Sequence, residues 1–405
     1  MTTPVPPAGI HVASRVHGFS YAIRNIVPEA KKVEASGRTV KYLNIGDPIP
    51  FGFKTPAHLV AAVEKAMRDG HNGYGPSPGI MAAREAVARD FTARGLAMTA
   101  DRVVLTAGAS EGIEIALNAL AEPGDEVLIP SPTYPLYTAV IAKIAAKTVY
   151  YRTDPGHGWL PDLDEVRSLI TPRTRALVVI DPNNPTGAVY PDSIRRELIG
   201  LAARHGFVLL ADEVYSDLAY GGSTPPMAAL DPDAPVISFG SLSKAYLAPG
   251  WRAAWMAVGN SPRLDGVMAA VLKLADGRLC ATVPMQFAIT AALTGDRSHQ
   301  VAFREALRER AAVTAAAFNA MPGMSCVEPK GAFYAMPKVE LPPGRTDEDY
   351  VLALLREAGV LCVYGSGFGT RPEDGFFRVV FLAAPDELRA VYATMAEFTA
   401  AYLSR

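Results

Sequence analysis

Five uninterrupted apolar runs restrict the fold of this 405-residue chain more than any other feature: RVVLTAG (102–108), DEVLIP (125–130), RALVVID (175–181), FVLLADE (207–213) and APVISFG (234–240). A strand with one wet face alternates apolar and polar residues. A strand buried on both faces does not, and such strands belong to parallel sheets covered by helices. The segments between the runs carry helical patterns. PDSIRRELIGLAARHG (191–206) is one, with Pro191 in its first turn and Gly206 after its last. RAAWMAVG (252–259) reads as a further strand. The pattern predicts an α/β domain with a mainly parallel sheet flanked by helices.

Beyond about Pro284 the texture changes. A long Ala- and Arg-rich helix near 299–320 leads into short strands around GAFYAMP (331–337) and FFRVVFL (376–382), with helices near 347–358 and 386–403. This suits a smaller α+β domain. The first 50 residues hold no core of their own, so they are expected to form an arm and part of that small domain. The expected division is 1–50 for this segment, 51–290 for the large domain and 291–405 for the small one.

Composition narrows the function. With 49% hydrophobic residues a large core is available, and a net charge of −2 leaves no basic footprint for nucleic acid or for a membrane surface. No apolar stretch is long enough to span a bilayer. The opening MTTPVPPAGI lacks the charge and apolar run of a signal peptide. The three cysteines (Cys280, Cys326, Cys362) are widely spaced without a C-x-x-C, and His58 and His71 lack metal-ligand spacing, so neither a disulfide framework nor a metal site is expected. The expectation is a soluble, cytoplasmic protein that handles small molecules.

In an open parallel sheet ligands collect beyond the carboxyl ends of the strands, and chemically loaded residues fall at those ends here. AGASEGI, after the first run, offers a helix N-terminus with Ser110 to an anion. SPTYPLY brings Tyr134, able to lie over a flat ring. DPNNPTG brings Asn184, a donor to a ligand oxygen. Asp212 closes an apolar strand, where an unpaired carboxylate is costly and a cationic partner is wanted; a protonated ring nitrogen or an ordinary arginine would serve. SFGSLSKAYLAPGWR (238–252) then sets Ser241, Ser243, Lys244 and Arg252 close together. S-x-x-K is also a hydrolase pattern, but its partner motifs S-D-N and K-T-G are absent from the sequence. A lysine that forms a Schiff base with a carbonyl cofactor, beside serines and an arginine for a phosphate, accounts for all the strand ends with one ligand.

In this order NNPTG, ADEVY and SLSK…GWR resemble the pyridoxal-phosphate aminotransferases of fold type I, classes I and II, over nearly the whole chain. The resemblance implies that Lys244 bonds the cofactor aldehyde, Asp212 pairs with the ring nitrogen, Tyr215 and Asn184 bond the phenolic oxygen, and Tyr134 stacks on the ring. Ala109, Ser110, Ser241, Ser243 and Arg252 would hold the phosphate. Tyr74 would reach the phosphate of a neighbouring subunit, which implies a homodimer. Arg378, in FFRVVF, would grip the substrate α-carboxylate, with the backbone of Gly46 beside it. SYAIRNIV, LNIGDPIPFGF, RLCATVP and GSGFG resemble the bacterial and archaeal alanine aminotransferases, which exchange alanine and 2-oxoglutarate for pyruvate and glutamate. Such an enzyme must also accept the distal carboxylate of glutamate, for which Arg24 or Arg278 is expected, with Tyr21 bordering the pocket. Other amino-acid transaminases and a same-fold C–S β-lyase share the cofactor residues and stay open. A ligand-sensing regulator would need a lost lysine or an added DNA-binding module, and neither is visible.

Overall fold

The computed structural model describes residues 22–405 together with Ile10, Val12, Ala13 and Val16. Its centre is an eight-stranded sheet. The strands are β1 (Val103–Thr106), β2 (Glu126–Ser131), β3 (Lys147–Asp154), β4 (Leu160–Pro161), β5 (Thr174–Ile180), β6 (Val208–Asp212), β7 (Val236–Ser241) and β8 (Ala254–Val258). In space they follow the order β1-β8-β7-β6-β5-β2-β3-β4. All run the same way except β8 and the two-residue edge strand β4, which are antiparallel to their neighbours. The sheet is mainly parallel, as the apolar runs predict.

Those runs are continuous because both faces are covered. Successive side chains of a strand point to opposite faces. Val104, Val127, Val178, Leu210 and Ile237 pack with helices Ala109–Leu120, Pro135–Lys143 and Asp265–Gly277 on one face. Leu105, Leu128, Val179, Ala211 and Val236 face the opposite layer, which includes helices Met81–Ala93 and Asp192–His205. The latter helix ends on Gly206 in the left-handed region (φ 76°). Pro191 is one residue outside that helix, in extended backbone, rather than in its first turn.

β3 was not among the expected strands. It lies near the sheet edge, and its residues are exposed and buried in mixture, so KTVYYRTD carries no continuous apolar run.

The rest of the chain builds small sheets from short strands. Lys41–Tyr42 pairs in parallel with Val360–Leu361, which joins the N-terminal segment to the C-terminal region. Phe377–Val380 is the middle strand between Tyr334–Ala335 and Val363–Tyr364. Helices Ser298–Asn319 and Pro385–Leu403 pack against one another alongside. No described helix is long and apolar enough to cross a membrane.

Candidate active site

Because the parallel strands end on one edge of the sheet, the residues that follow them converge there. A cavity of about 840 Å³ opens at this edge. The sheet side supplies Ala109, Ser110, Tyr134, Asn184, Asp212, Tyr215, Ser241, Ser243, Lys244 and Arg252, and the opposite side supplies Arg24, Gly46 and Arg378. Two expected residues among those described, Tyr74 and Arg278, are not in this lining. Tyr74 is on the surface, 87% exposed. Arg278 is tied to Glu111 at 3.2 Å and donates to the carbonyl of Leu105 at 2.6 Å. Tyr21 lies outside the described residues.

One corner of the cavity is built for an anion. The helix Ala109–Leu120 starts after Gly108, whose φ of 88° suits glycine, and its first N–H groups are not consumed within the helix. The Arg252 guanidinium packs so closely on Gly108 that a β-carbon there would fall inside it. Arg252 belongs to this corner because β8 is antiparallel: the residues leading into it, Arg252 two positions before its start, arrive where the other strands end. Ser241 and Ser243 add hydroxyls 2.7 Å apart, and the Ser243 N–H donates to Ser241 Oγ at 3.0 Å. Helix N-terminus, guanidinium and hydroxyls together make a cradle that could hold a phosphate.

Asp212 ends β6 and is only 4% exposed. Tyr137 donates its hydroxyl to Oδ2 at 3.1 Å. Among the described residues no arginine or lysine is within ion-pairing distance of this carboxylate, and burial pushes it up to about 6 despite the Tyr137 bond. A buried acid facing a cavity in this state fits a cationic group on a ligand. Lys244 lines the same cavity as this acid. Its Nζ donates to the carbonyl of Gly46 at 2.9 Å and lies 5.8 Å from the Tyr215 ring. The cradle, the acid and the lysine fit a ring that carries a phosphate, a basic nitrogen and an aldehyde.

Arg378 comes from the middle strand of the three-stranded sheet and is almost fully buried. Its guanidinium lies between the rings of Tyr334 and Phe368, 4.7 Å from each centroid. It donates to Asn184 Oδ1 at 3.0 Å and to the carbonyl of Asn44. Stacking and bonding fix the plane of the fork, which is what recognition of a carboxylate needs. Because Asn184 accepts through Oδ1, its amide N–H groups are directed elsewhere as donors.

Sequence reasoning missed two residues of this site. Tyr137 stands three positions after Tyr134, one helical turn on, and that spacing is the signal that ties it to the same site. Tyr334 lines the cavity with its hydroxyl 2.8 Å from that of Tyr215. In GAFYAMP it reads as one aromatic among core residues, and nothing local marks it.

The fold and the strand-end site define a transaminase: the chain belongs to the aminotransferases of class I and II, whose family model matches residues 40–393. Among its relatives, the glutamate-pyruvate aminotransferase AlaA of Escherichia coli K12 is 37% identical over 402 residues, covering 97% of this chain and 98% of the relative. An alanine aminotransferase of Mycobacterium tuberculosis H37Rv is 38% identical over 399 residues, covering 96% and 92%. The solved structure of alanine aminotransferase from Pyrococcus furiosus superposes with a TM-score of 0.93 at 38% identity, covering 96% of this chain and all of that one.

Proposed function

We propose that this protein is a pyridoxal-phosphate-dependent transaminase that exchanges the amino group between L-alanine and 2-oxoglutarate, working in the cytoplasm as a homodimer. The observation that carries the cofactor reading is a buried Asp212 with no arginine or lysine within ion-pairing distance among the described residues, in one cavity with Lys244 and the Gly108–Arg252 corner. The names of the relatives support alanine and glutamate as substrates.

Pyridoxal phosphate, when bound, supplies a ring that withdraws electrons and carries the amino group between two half-reactions. The chain's own residues do the rest. Ala109, Ser110, Ser241, Ser243 and Arg252 hold the phosphate. Asp212 keeps its charge against the ring nitrogen, helped by the Tyr137 hydroxyl. Tyr134 would cover a ring face, while Tyr215 and the Asn184 amide would donate to the ring oxygen. Lys244 would hold the cofactor aldehyde and would supply the base for the substrate Cα proton, which needs its amine within reach of that atom.

Arg378 grips the α-carboxylate with its planar fork beside the Gly46 backbone. Arg24, exposed at the cavity wall and without an ion-pair partner among the described residues, receives the distal carboxylate of glutamate. Tyr21 would border the same pocket. Tyr74, on the surface of its own subunit, serves the phosphate of a second copy.

The test is the absorbance of purified protein loaded with pyridoxal phosphate, recorded as alanine and then 2-oxoglutarate are added. A yellow band that bleaches with alanine and returns with 2-oxoglutarate supports the proposal. A response to another amino acid alone would keep the transaminase and replace its substrate. Ammonia and pyruvate formed without an oxo-acid acceptor would point to a lyase instead.

A further inference from the structure

Tyr334 connects the two halves of the site, and the role of its hydroxyl follows from what it touches. Its short strand pairs with the strand that carries Arg378, with Tyr334 opposite Val380. Its ring, 2% exposed, stacks on the Arg378 guanidinium at 4.7 Å. Its hydroxyl reaches across to Tyr215, from the loop after β6, at 2.8 Å. The position is closed on its third side as well. A β-carbon at residue 46 would collide with the Tyr334 hydroxyl, so glycine at 46 makes room for it, and the carbonyl of the same Gly46 holds Lys244 Nζ.

Two phenols in contact share one hydrogen bond, and either can be its donor. Tyr215 has one proton. It can give that proton to Tyr334 or to a ligand, not to both.

We propose that Tyr334 is a positioning residue whose hydroxyl donates to Tyr215 and so directs the Tyr215 proton onto the ring oxygen of the cofactor. The proposal rests on the assignment of Tyr215 to that oxygen. A phenol that accepts one hydrogen bond donates a stronger one, because the chain of bonds polarises in one direction.

The test is a pH titration of the absorbance band of the bound cofactor in wild type, Tyr334→Phe, Tyr215→Phe and the double variant, each loaded with pyridoxal phosphate. A donor to the ring oxygen favours the form with more negative charge there, so weakening it moves the midpoint up. Tyr334→Phe is expected to raise the midpoint by roughly half a unit, the scale of one weakened neutral hydrogen bond. In the Tyr215→Phe background the same change is expected to move it no further.

Because phenylalanine keeps the stacked ring, KM for alanine should stay within about twofold while kcat falls several-fold. An unchanged melting temperature would separate this from a loss of fold. A Tyr334→Phe midpoint equal to wild type, with Tyr215→Phe shifted, overturns the proposal and leaves the Tyr215 assignment standing. Equal midpoints in all four proteins overturn both. A further shift from Tyr334→Phe in the Tyr215→Phe background also overturns the proposal, since the hydroxyl would then act without Tyr215.

Discussion

The two walls of the cavity are made in different ways. The sheet wall takes its residues from the ends of β1, β2, β5, β6 and β7 and from the start of β8, so each is delivered by a rigid element whose core is buried on both faces. The opposite wall takes Arg24, Gly46, Tyr334 and Arg378 from a four-residue helix, a loop and short strands. Its order comes from pairing across the whole chain, as where Lys41–Tyr42 meets Val360–Leu361. Chemistry common to all substrates belongs on the rigid wall. Substrate recognition, of the shared α-carboxylate as well as of the variable side chain, belongs on the wall whose segments can vary without disturbing the sheet.

Four substitutions test that division. Lys244→Ala, on the sheet wall, should lower kcat at least about 10⁴-fold for every substrate, since one residue supplies both the covalent link and the base. Stopped-flow traces that still report rapid Cα-proton loss would break the division at its strongest point. Asp212→Asn should lower turnover of alanine and glutamate alike by roughly 10³-fold, the scale of a lost electrostatic partner.

The same change should stabilise the cofactor-free protein. The Asp212 carboxyl titrates near 6 in the fold against its ordinary 3.8. The unfolded chain gives up that proton first, so stability is lost as pH rises from about 4 through about 6. Urea unfolding of the apoprotein should find Asp212→Asn more stable by roughly 1–3 kcal/mol at pH 8, with no such gain below about pH 4. Equal stability at pH 8 would mean that the buried charge is compensated in a way the structure does not account for.

On the other wall, Arg378→Lys keeps the charge and loses the fork, and should cost about 10²-fold in kcat/KM, mostly through KM, for all substrates. An effect on kcat alone would move Arg378 to the first wall. Arg24→Ala should be the smallest and most selective: roughly a tenfold rise in KM for glutamate and 2-oxoglutarate, with alanine within about twofold. Glutamate kinetics equal to wild type would remove Arg24 from substrate recognition.

The same contrast explains what could be read in the sequence. The apolar runs 175–181 and 207–213 announce β5 and β6 because strands covered on both faces leave no polar positions, and a polar residue that ends such a run, as Asp212 does, stands out. β3 escaped because an edge position lets exposed and buried residues mix. Tyr334 escaped because its partner is remote: it meets Tyr215 across 119 residues. A contact of that range leaves no local period or cap. Arg378 and Arg24 were legible only through motif resemblance, since an arginine on a two-sided apolar strand or in a short helix has no spacing that declares a carboxylate.

The closeness of Gly108 and Arg252 binds two distant positions into one heritable unit. A side chain introduced at 108 evicts the guanidinium and also strains a backbone whose φ is 88°. Shortening residue 252 to make room then removes the charge that the corner exists to present. A combinatorial library randomised at both sites should therefore return the parental pair almost alone. For an engineer reshaping this enzyme, the pair at 108 and 252 is the fixed point around which new substrate walls have to be drawn.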